Sequence, residues 1–304
     1  MTTSSTPTDP TVSVETLLDP EFLRQLERVR FSPRWAITER EIGEHPSSRH
    51  GVSVEFADYR EYQPGDDFRA IDWTLLARLD RLYVKLFRGE ENLRLELQID
   101  ASTSMHFGHP TKLAYAIRLA AALGYVGLHR SHRVRAVFFG SQPYRLLPNA
   151  RGRQAATSLF RFLAQGGDAG STDINASLRQ LALQSSSSVT VLISDLLDPA
   201  GYASGLDALL RSGRRVAIIH LLSPEELNPE VSGEFEWLDA ETAQTVEISV
   251  DRDTLALYQD TLSEWFAEIR TFCETRRIPY FHVATNAPLP DVVLRHLRQG
   301  GLLA

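Results

Sequence analysis

Cysteine is almost absent from this sequence of 304 residues, because Cys273 is the only one. A single thiol cannot form an internal disulfide, which is typical of a reducing compartment, and we therefore expect a cytoplasmic location. Cys273 falls in a long helical pattern. We favour a packing role for it over that of a lone nucleophile.

Long hydrophobic runs are also missing. No apolar stretch approaches the roughly 18 residues that cross a bilayer, and the longest ones, such as 216–222, have the length of a strand. The Ser/Thr/Pro-rich residues 1–9 have neither the basic start nor the apolar centre of a secretory signal. The sequence therefore predicts no transmembrane segment and no anchor.

Positive charge is in deficit. The chain has 32 Lys and Arg against 39 Asp and Glu, a formal net charge of −7, whereas nucleic-acid-binding proteins usually carry a basic surplus. Lysine itself is scarce, since Lys85 and Lys112 are the only two and the other basic residues are arginines. Arginine favours bidentate ion pairs, but a GC-rich genome would produce the same bias and we favour that explanation.

The chain changes character near residue 91. We predict a disordered tail over 1–13, an extension over 14–90 that begins with a helix, and an α/β domain over 91–304. In the last range, nearly continuous apolar strands alternate with helices. That pattern is typical of a doubly wound, mostly parallel sheet covered on both faces. We predict such an α/β fold, with an irregular N-terminal extension.

The extension contains a dense block of charged and aromatic residues over 55–85. Pro64-Gly65 suits a turn, and Asp66 or Asp67 would cap a short helix after it. Most aromatic surface in proteins is buried. We therefore expect aromatic residues such as Trp73 to pack the block against the α/β domain; the alternative is a second interaction surface.

Polar residues cluster where buried strands end. Asp100-Ala101-Ser102-Thr103-Ser104 follows the first strand of the α/β domain, Asp195 follows the strand over 189–194, and the loop over 166–173 contains Thr172. Ligands of open α/β sheets collect beyond the carboxyl ends of the strands. Only oxygen donors are present in these loops, which suits Mg²⁺ or Mn²⁺. We predict a metal site formed by Asp100, Ser102, Ser104, Thr172 and Asp195.

The alternative for these loops is that Ser and Asp only cap helices, and for Asp173, directly before a predicted helix, we favour capping. His106 and His109, like His129 and His132, are spaced i, i+3 and lack the further ligands that zinc needs. We interpret them as surface residues.

These residues resemble a known family. Asp100-x-Ser102-x-Ser104, Thr172 and Asp195 are similar to the metal-ion-dependent adhesion site of von Willebrand factor A-like domains. In that family the hydroxyls contact the metal and the aspartates act directly or through water. The resemblance covers about residues 90–300.

The extension narrows the resemblance. Its stretch from Glu55 to Lys85, including Tyr59-Arg60-Glu61-Tyr62, Pro64-Gly65-Asp66-Asp67 and Ile71-Asp72-Trp73, resembles the signature of the fifty-eighth catalogued domain of unknown function. That bacterial group is typically encoded beside MoxR-type AAA+ ATPases. Many of its members have N-terminal transmembrane helices, and this chain resembles the short, soluble form.

Two functions follow as expectations. The first is a non-enzymatic binding module whose metal leaves a position open for an Asp or Glu carboxylate of a partner. The resemblance implies an adaptor for a MoxR-type ATPase, or for its client, in protein assembly or remodelling. The alternative is a metal-dependent phosphatase of haloacid-dehalogenase-like type, with Asp100 after the first strand and Lys112 as its lysine. Motifs of nucleotide-binding proteins and of serine hydrolases are missing.

Overall fold

The chain folds into two compact units, residues 1–37 together with 93–304, and residues 38–92. The computed structural model describes residues 17–32, 54–63, 66, 68, 71–89, 93–167, 169–184, 189–231, 233–238 and 245–304. The predicted tail over 1–13 lies outside these residues. The elements of the larger unit are α1 (Pro20–Leu26), β3 (Arg94–Asp100), α3 (Lys112–His129), β4 (Arg133–Phe139), β5 (Pro143–Arg151), α4 (Ala156–Ala164), α5 (Ile174–Ala182), β6 (Val189–Ser194), α6 (Ala203–Arg211), β7 (Arg215–Leu222), α7 (Pro224–Leu227), β8 (Gly233–Leu238), β9 (Thr245–Val250), α8 (Arg252–Thr275) and β10 (Tyr280–Ala284), followed by helical segments over Leu289–Asp291, Val292–His296 and Leu297–Gln299.

A six-stranded sheet forms the centre of this unit, in the order β10-β7-β6-β3-β4-β5. All neighbours run parallel except β5, which is antiparallel to β4. Every residue of β6, and every residue of β3 after Arg94, is buried. A central parallel strand with helices on both faces needs such a continuous apolar run. The predicted α/β fold with a mostly parallel sheet is confirmed.

Apolar side chains pack on both faces of the sheet. One cluster joins the sheet to α1, α3 and α4, and the other joins it to α5, α6 and α8. Cys273 lies in the second cluster and is 1% exposed, which confirms its packing role. None of the helices in the described part of the chain is long and apolar enough to span a membrane.

The first helix belongs to the α/β unit, which corrects the predicted boundary of the extension at 14–90. Leu17 and Leu26 are fully buried in the first cluster, and the Tyr125 hydroxyl of α3 donates to Glu27 at 3.0 Å. The apolar side of α1 therefore packs against α3. The smaller unit spans residues 38–92 and does not include α1.

The smaller unit contains an antiparallel pair of strands, β1 (Val54–Glu61) and β2 (Tyr83–Gly89), and the helix α2 (Trp73–Leu79). Asp72 caps α2, because its side chain accepts from the Thr74 backbone N–H at 2.9 Å. Asp66 instead pairs with Arg60 at 2.7 Å, and Asp67 lies outside the described residues.

The expectation that Trp73 is buried is wrong, since it is 62% exposed.

Candidate metal centre

The strand order brings two of the predicted ligands to one edge of the sheet. β3 and β6 are parallel neighbours, Asp100 is the last residue of β3, and Asp195 directly follows β6. From β3 the chain continues to β4 on one side, and from β6 to β7 on the other. Such a reversal of direction opens a crevice at the carboxyl ends of the two strands.

Asp100 lies at the centre of a buried network. Its side chain is 0% exposed. One carboxylate oxygen accepts from the Ser102 backbone N–H at 3.0 Å, and the other accepts from the Ser194 hydroxyl at 2.6 Å. The hydroxyls of Ser102 and Ser104 lie 3.1 Å apart. The structure therefore brings three of the predicted ligands together, and it adds Ser194.

Asp195 is 1% exposed and lies in a second network. Its Oδ2 accepts from the ammonium of Lys112 at 2.8 Å, and its Oδ1 accepts from the Leu197 backbone N–H at 3.1 Å. Lys112 is itself 0% exposed and also pairs with Glu226. His220 Nε2 lies 2.8 Å from the Asp195 carbonyl oxygen, which holds the backbone after β6 in place.

The loop that contains Thr172 is attached to the same edge through its backbone. The Ala169 N–H donates to the Ala101 carbonyl at 2.8 Å, and the Thr103 N–H donates to the Gly170 carbonyl at 2.9 Å. The loop also lies against Gly140, where an added Cβ would be 2.5 Å from the Cβ of Ala169. Among the contacts of the described residues, the buried Thr172 hydroxyl has no hydrogen-bond partner.

The two aspartates influence each other electrostatically. Burial, and after it the neighbouring Asp195 carboxylate, raise the pKa of Asp100 to about 7, although hydrogen bonds from Ser194 and Ser102 act in the opposite direction. A carboxylate that is buried beside a second carboxylate gains strongly from a nearby cation. His220 stays neutral, because burial lowers its pKa to about 3.

The donor set fits a hard divalent cation. Within the described residues, no group of three or more His, Cys, Asp or Glu side chains is arranged to hold a metal ion, so a metal here would depend on hydroxyl groups as well as on the aspartates. The Thr172 hydroxyl is buried and free to donate a lone pair. Carboxylate and hydroxyl oxygens suit Mg²⁺ or Mn²⁺.

Sequence reasoning missed three contributors to this edge. Ser194 is the last residue of an apolar strand and Glu226 follows the next strand, so neither stands in a motif. The sequence suggests Lys112 only as a phosphatase lysine. Its position as a rare lysine at the start of the apolar helix α3 is nevertheless a signal that could have marked it as a contributor.

The predicted helix cap at Asp173 is confirmed, since its side chain accepts from the Ala176 N–H at 2.7 Å at the start of α5. The prediction of surface histidines is confirmed for His106 and His109, which are exposed, and is wrong for His132, which is 8% exposed.

Comparison with known proteins gives the family. The family model described as "Protein of unknown function DUF58" matches residues 58–264. The chain belongs to this DUF58 family. It is 27% identical over 215 residues to the uncharacterized proteins Rv1480 of Mycobacterium tuberculosis and Mb1516 of Mycobacterium bovis, a match that covers 69% of this chain and 68% of each relative.

Solved structures are more distant from this DUF58 chain. BatB from Bacteroides thetaiotaomicron is 13% identical with a TM-score of 0.43, and an aerotolerance-related membrane protein from Bacteroides fragilis is 15% identical with a TM-score of 0.44. Each match covers 68% of this chain and 98% of the other.

Proposed function

We propose that this DUF58 chain is a metal-dependent protein-binding module of the von Willebrand factor A-like type. It holds one Mg²⁺ or Mn²⁺ with Asp100, Ser102, Ser104, Thr172 and Asp195. The observation that carries the proposal is the buried, oxygen-only cluster around Asp100 at the reversal point of the sheet. The loop bonded to it through Ala169 and Gly170 contains the Thr172 hydroxyl, which is buried and has no hydrogen-bond partner among the described residues. The likeness of Asp100-x-Ser102-x-Ser104 to the adhesion-site motif supports it.

The partner would complete the coordination of the ion. The five protein ligands leave one position of an octahedral ion open, and an anionic oxygen is a suitable sixth ligand. A Glu or Asp side chain of a second protein supplies one. By the family resemblance, that protein is a MoxR-type AAA+ ATPase or a client that it delivers, in assembly or remodelling, and the single cysteine favours the cytoplasm as the location.

We propose no catalytic role. A haloacid-dehalogenase-like phosphatase needs an acid/base two residues after its nucleophilic aspartate. That position is Ser102, whose hydroxyl is within hydrogen-bond distance of Ser104. The lysine of such an enzyme would be Lys112, but its ammonium is fully buried between Asp195 and Glu226. A binding role needs neither group to reach a substrate.

Titration of the purified MoxR-type ATPase of the same host onto this protein tests the proposal. We expect binding in Mg²⁺ and loss of binding in excess chelator. The Ser102→Ala, Ser104→Ala double variant should lose it in both. Ser171→Ala is the matched control, because Ser171 is an exposed hydroxyl beside Thr172. Equal affinity in Mg²⁺ and chelator would contradict a metal-dependent contact, and metal-dependent hydrolysis of phosphate esters would favour the phosphatase.

A further inference from the structure

Lys112 lies between two carboxylates that belong to different segments of the chain. Its ammonium is 2.8 Å from Asp195 Oδ2 and also pairs with Glu226. The lysine side chain is 0% exposed, against 1% for Asp195 and 15% for Glu226. Removing either carboxylate would leave the buried ammonium less well compensated.

Glu226 is fixed in place independently of Lys112. Its carboxylate accepts from the Ser223 backbone N–H at 2.7 Å, which completes a capping box at the start of α7. Its backbone carbonyl accepts from the Tyr258 hydroxyl of α8 at 2.6 Å. Gly108, with a φ of +92°, allows close approach to Ser223, since an added Cβ would lie 2.5 Å from the Ser223 Cβ. The carboxylate of Glu226 therefore offers Lys112 a preformed second partner.

The formal charges at this edge do not balance without another cation. When all three are ionised, Asp100, Asp195 and Glu226 contribute three negative charges against the single positive charge of Lys112. One divalent ion would bring the cluster to neutrality. Lys112 is bonded to Asp195, one of the proposed ligands, so the ammonium and the ion would compete for the same carboxylate.

We propose that Lys112 is an internal competitor of the metal. In the metal-free protein it holds Asp195, and when the ion binds it gives up Asp195 and keeps Glu226. Lys112 therefore weakens metal binding, and Glu226 strengthens it by giving the ammonium another partner. This inference rests on the proposed function, and it states how the metal affinity of that same site is regulated.

Calorimetric titration of MgCl₂ into four proteins tests the inference. Lys112→Met should bind Mg²⁺ about tenfold more tightly than the unmodified protein, because a cation no longer occupies Asp195. Glu226→Gln should bind about threefold more weakly, since Lys112 then has Asp195 as its remaining carboxylate. Glu225→Gln, on the exposed neighbour of Glu226, removes the same charge and should bind within about twofold of the unmodified protein.

The double variant Lys112→Met, Glu226→Gln separates competition from net charge. It has the same formal charge at this edge as the unmodified protein but no ammonium on Asp195. We expect it to bind Mg²⁺ more tightly than the unmodified protein. The double variant removes one positive and one negative charge, so its net buried charge is that of the unmodified protein. It can therefore test the competition even if Lys112→Met does not fold. Equal or weaker binding by the variants without Lys112 overturns the inference.

The same titrations separate this inference from the proposed function. If the unmodified protein binds Mg²⁺ and removal of Lys112 brings no gain, the metal site stands and the competition is wrong. If only the variants without Lys112 bind Mg²⁺, the competition is supported and the metal-dependent function of the unmodified chain is overturned. If no variant binds, both are overturned.

Discussion

The central strand β3 has a buried ionic cluster near each of its ends, and the two differ in composition. Near the amino end, Glu96 pairs with Arg214 at 2.8 Å and with Arg135 at 3.2 Å, and it accepts from the Gln98 side chain at 2.7 Å. Near the carboxyl end, three carboxylates face one ammonium and several hydroxyls.

The difference separates a structural cluster from a binding cluster. Two guanidinium groups around one carboxylate leave no uncompensated negative charge, and a second nitrogen of Arg214 donates to the Leu181 carbonyl at 2.5 Å. Planar guanidinium groups of this kind fix geometry. The carboxyl end has a surplus of negative charge and a free Thr172 hydroxyl. Each cluster contains one carboxylate of β3, but the surplus of negative charge lies at the second.

The largest expected loss of stability comes from breaking an ion pair in the amino-end cluster. Arg214→Met leaves the 2% exposed Glu96 with one partly exposed partner, and breaking a buried ion pair on one side costs about 3 kcal/mol or more. Urea unfolding should show this loss with and without Mg²⁺. A loss that Mg²⁺ repairs would contradict the distinction between the two clusters.

At the carboxyl end, Asp100→Asn should affect binding and leave the fold intact. The amide keeps an acceptor for the Ser102 N–H and removes the repulsion from Asp195, so without metal at neutral pH the variant should be more stable than the unmodified protein, by on the order of 2 kcal/mol. Affinity for Mg²⁺ should fall about a hundredfold, a loss of about 2.7 kcal/mol. Calorimetry measures the second effect and urea unfolding the first. Unchanged Mg²⁺ affinity would remove Asp100 from the ligand set.

Contacts between residues that are close in the sequence could be predicted, and contacts between distant residues could not. Strand β6 has the predicted bounds because it is a continuous apolar run between polar loops. Asp100, Ser102 and Ser104 lie together because they follow one strand. Lys112 and Glu226 are separated by 114 positions, and their contact depends on the close approach of Gly108 to Ser223, which no local pattern indicates.

The smaller unit was harder to predict for a related reason. β1 pairs with a single strand, and charged residues such as Glu55, Asp58 and Arg60 stand among its apolar ones. Neither an apolar run nor a clean alternation marks such a strand, so it looked irregular. α2 has no buried residue, so its amphipathic pattern carried no information about packing.

The pH dependence of stability should have opposite signs at the two edges. Burial lowers the pKa of His132, which precedes β4, from 6.5 to about 4. The unfolded chain binds this proton first, so His132 costs the fold stability as pH falls from 6.5 towards 4. Asp100 has a pKa raised from 3.8 to about 7. The folded chain keeps that proton longer, so stability from Asp100 is lost as pH rises through this window.

Urea unfolding of His132→Gln and Asp100→Asn from pH 4 to 7.5, without divalent metal, separates the two contributions. Relative to the unmodified protein, His132→Gln should gain on the acid side and Asp100→Asn on the neutral side, each by on the order of 2 kcal/mol. Parallel profiles for the two variants would contradict the opposite signs.

The smallest effect is expected at Trp73, which belongs to neither cluster. Because 62% of the side chain is exposed, Trp73→Ala should change the free energy of unfolding by less than about 1 kcal/mol. The variant therefore serves as a surface reference for the two clusters. A loss near 3 kcal/mol in urea unfolding would restore the view that this aromatic residue is buried in solution.

Gly140 has a consequence for the choice of ion. The loop with Thr172 lies against Gly140 so closely that an added Cβ would be 2.5 Å from Ala169, and backbone hydrogen bonds attach it to residues 101 and 103. These bonds hold the loop close to the strand ends, and a larger ion would have to stretch them. Mg²⁺ binds oxygen at about 2.1 Å and Ca²⁺ at about 2.3–2.6 Å. The contact between two small residues would therefore act as a size filter that favours the smaller ion.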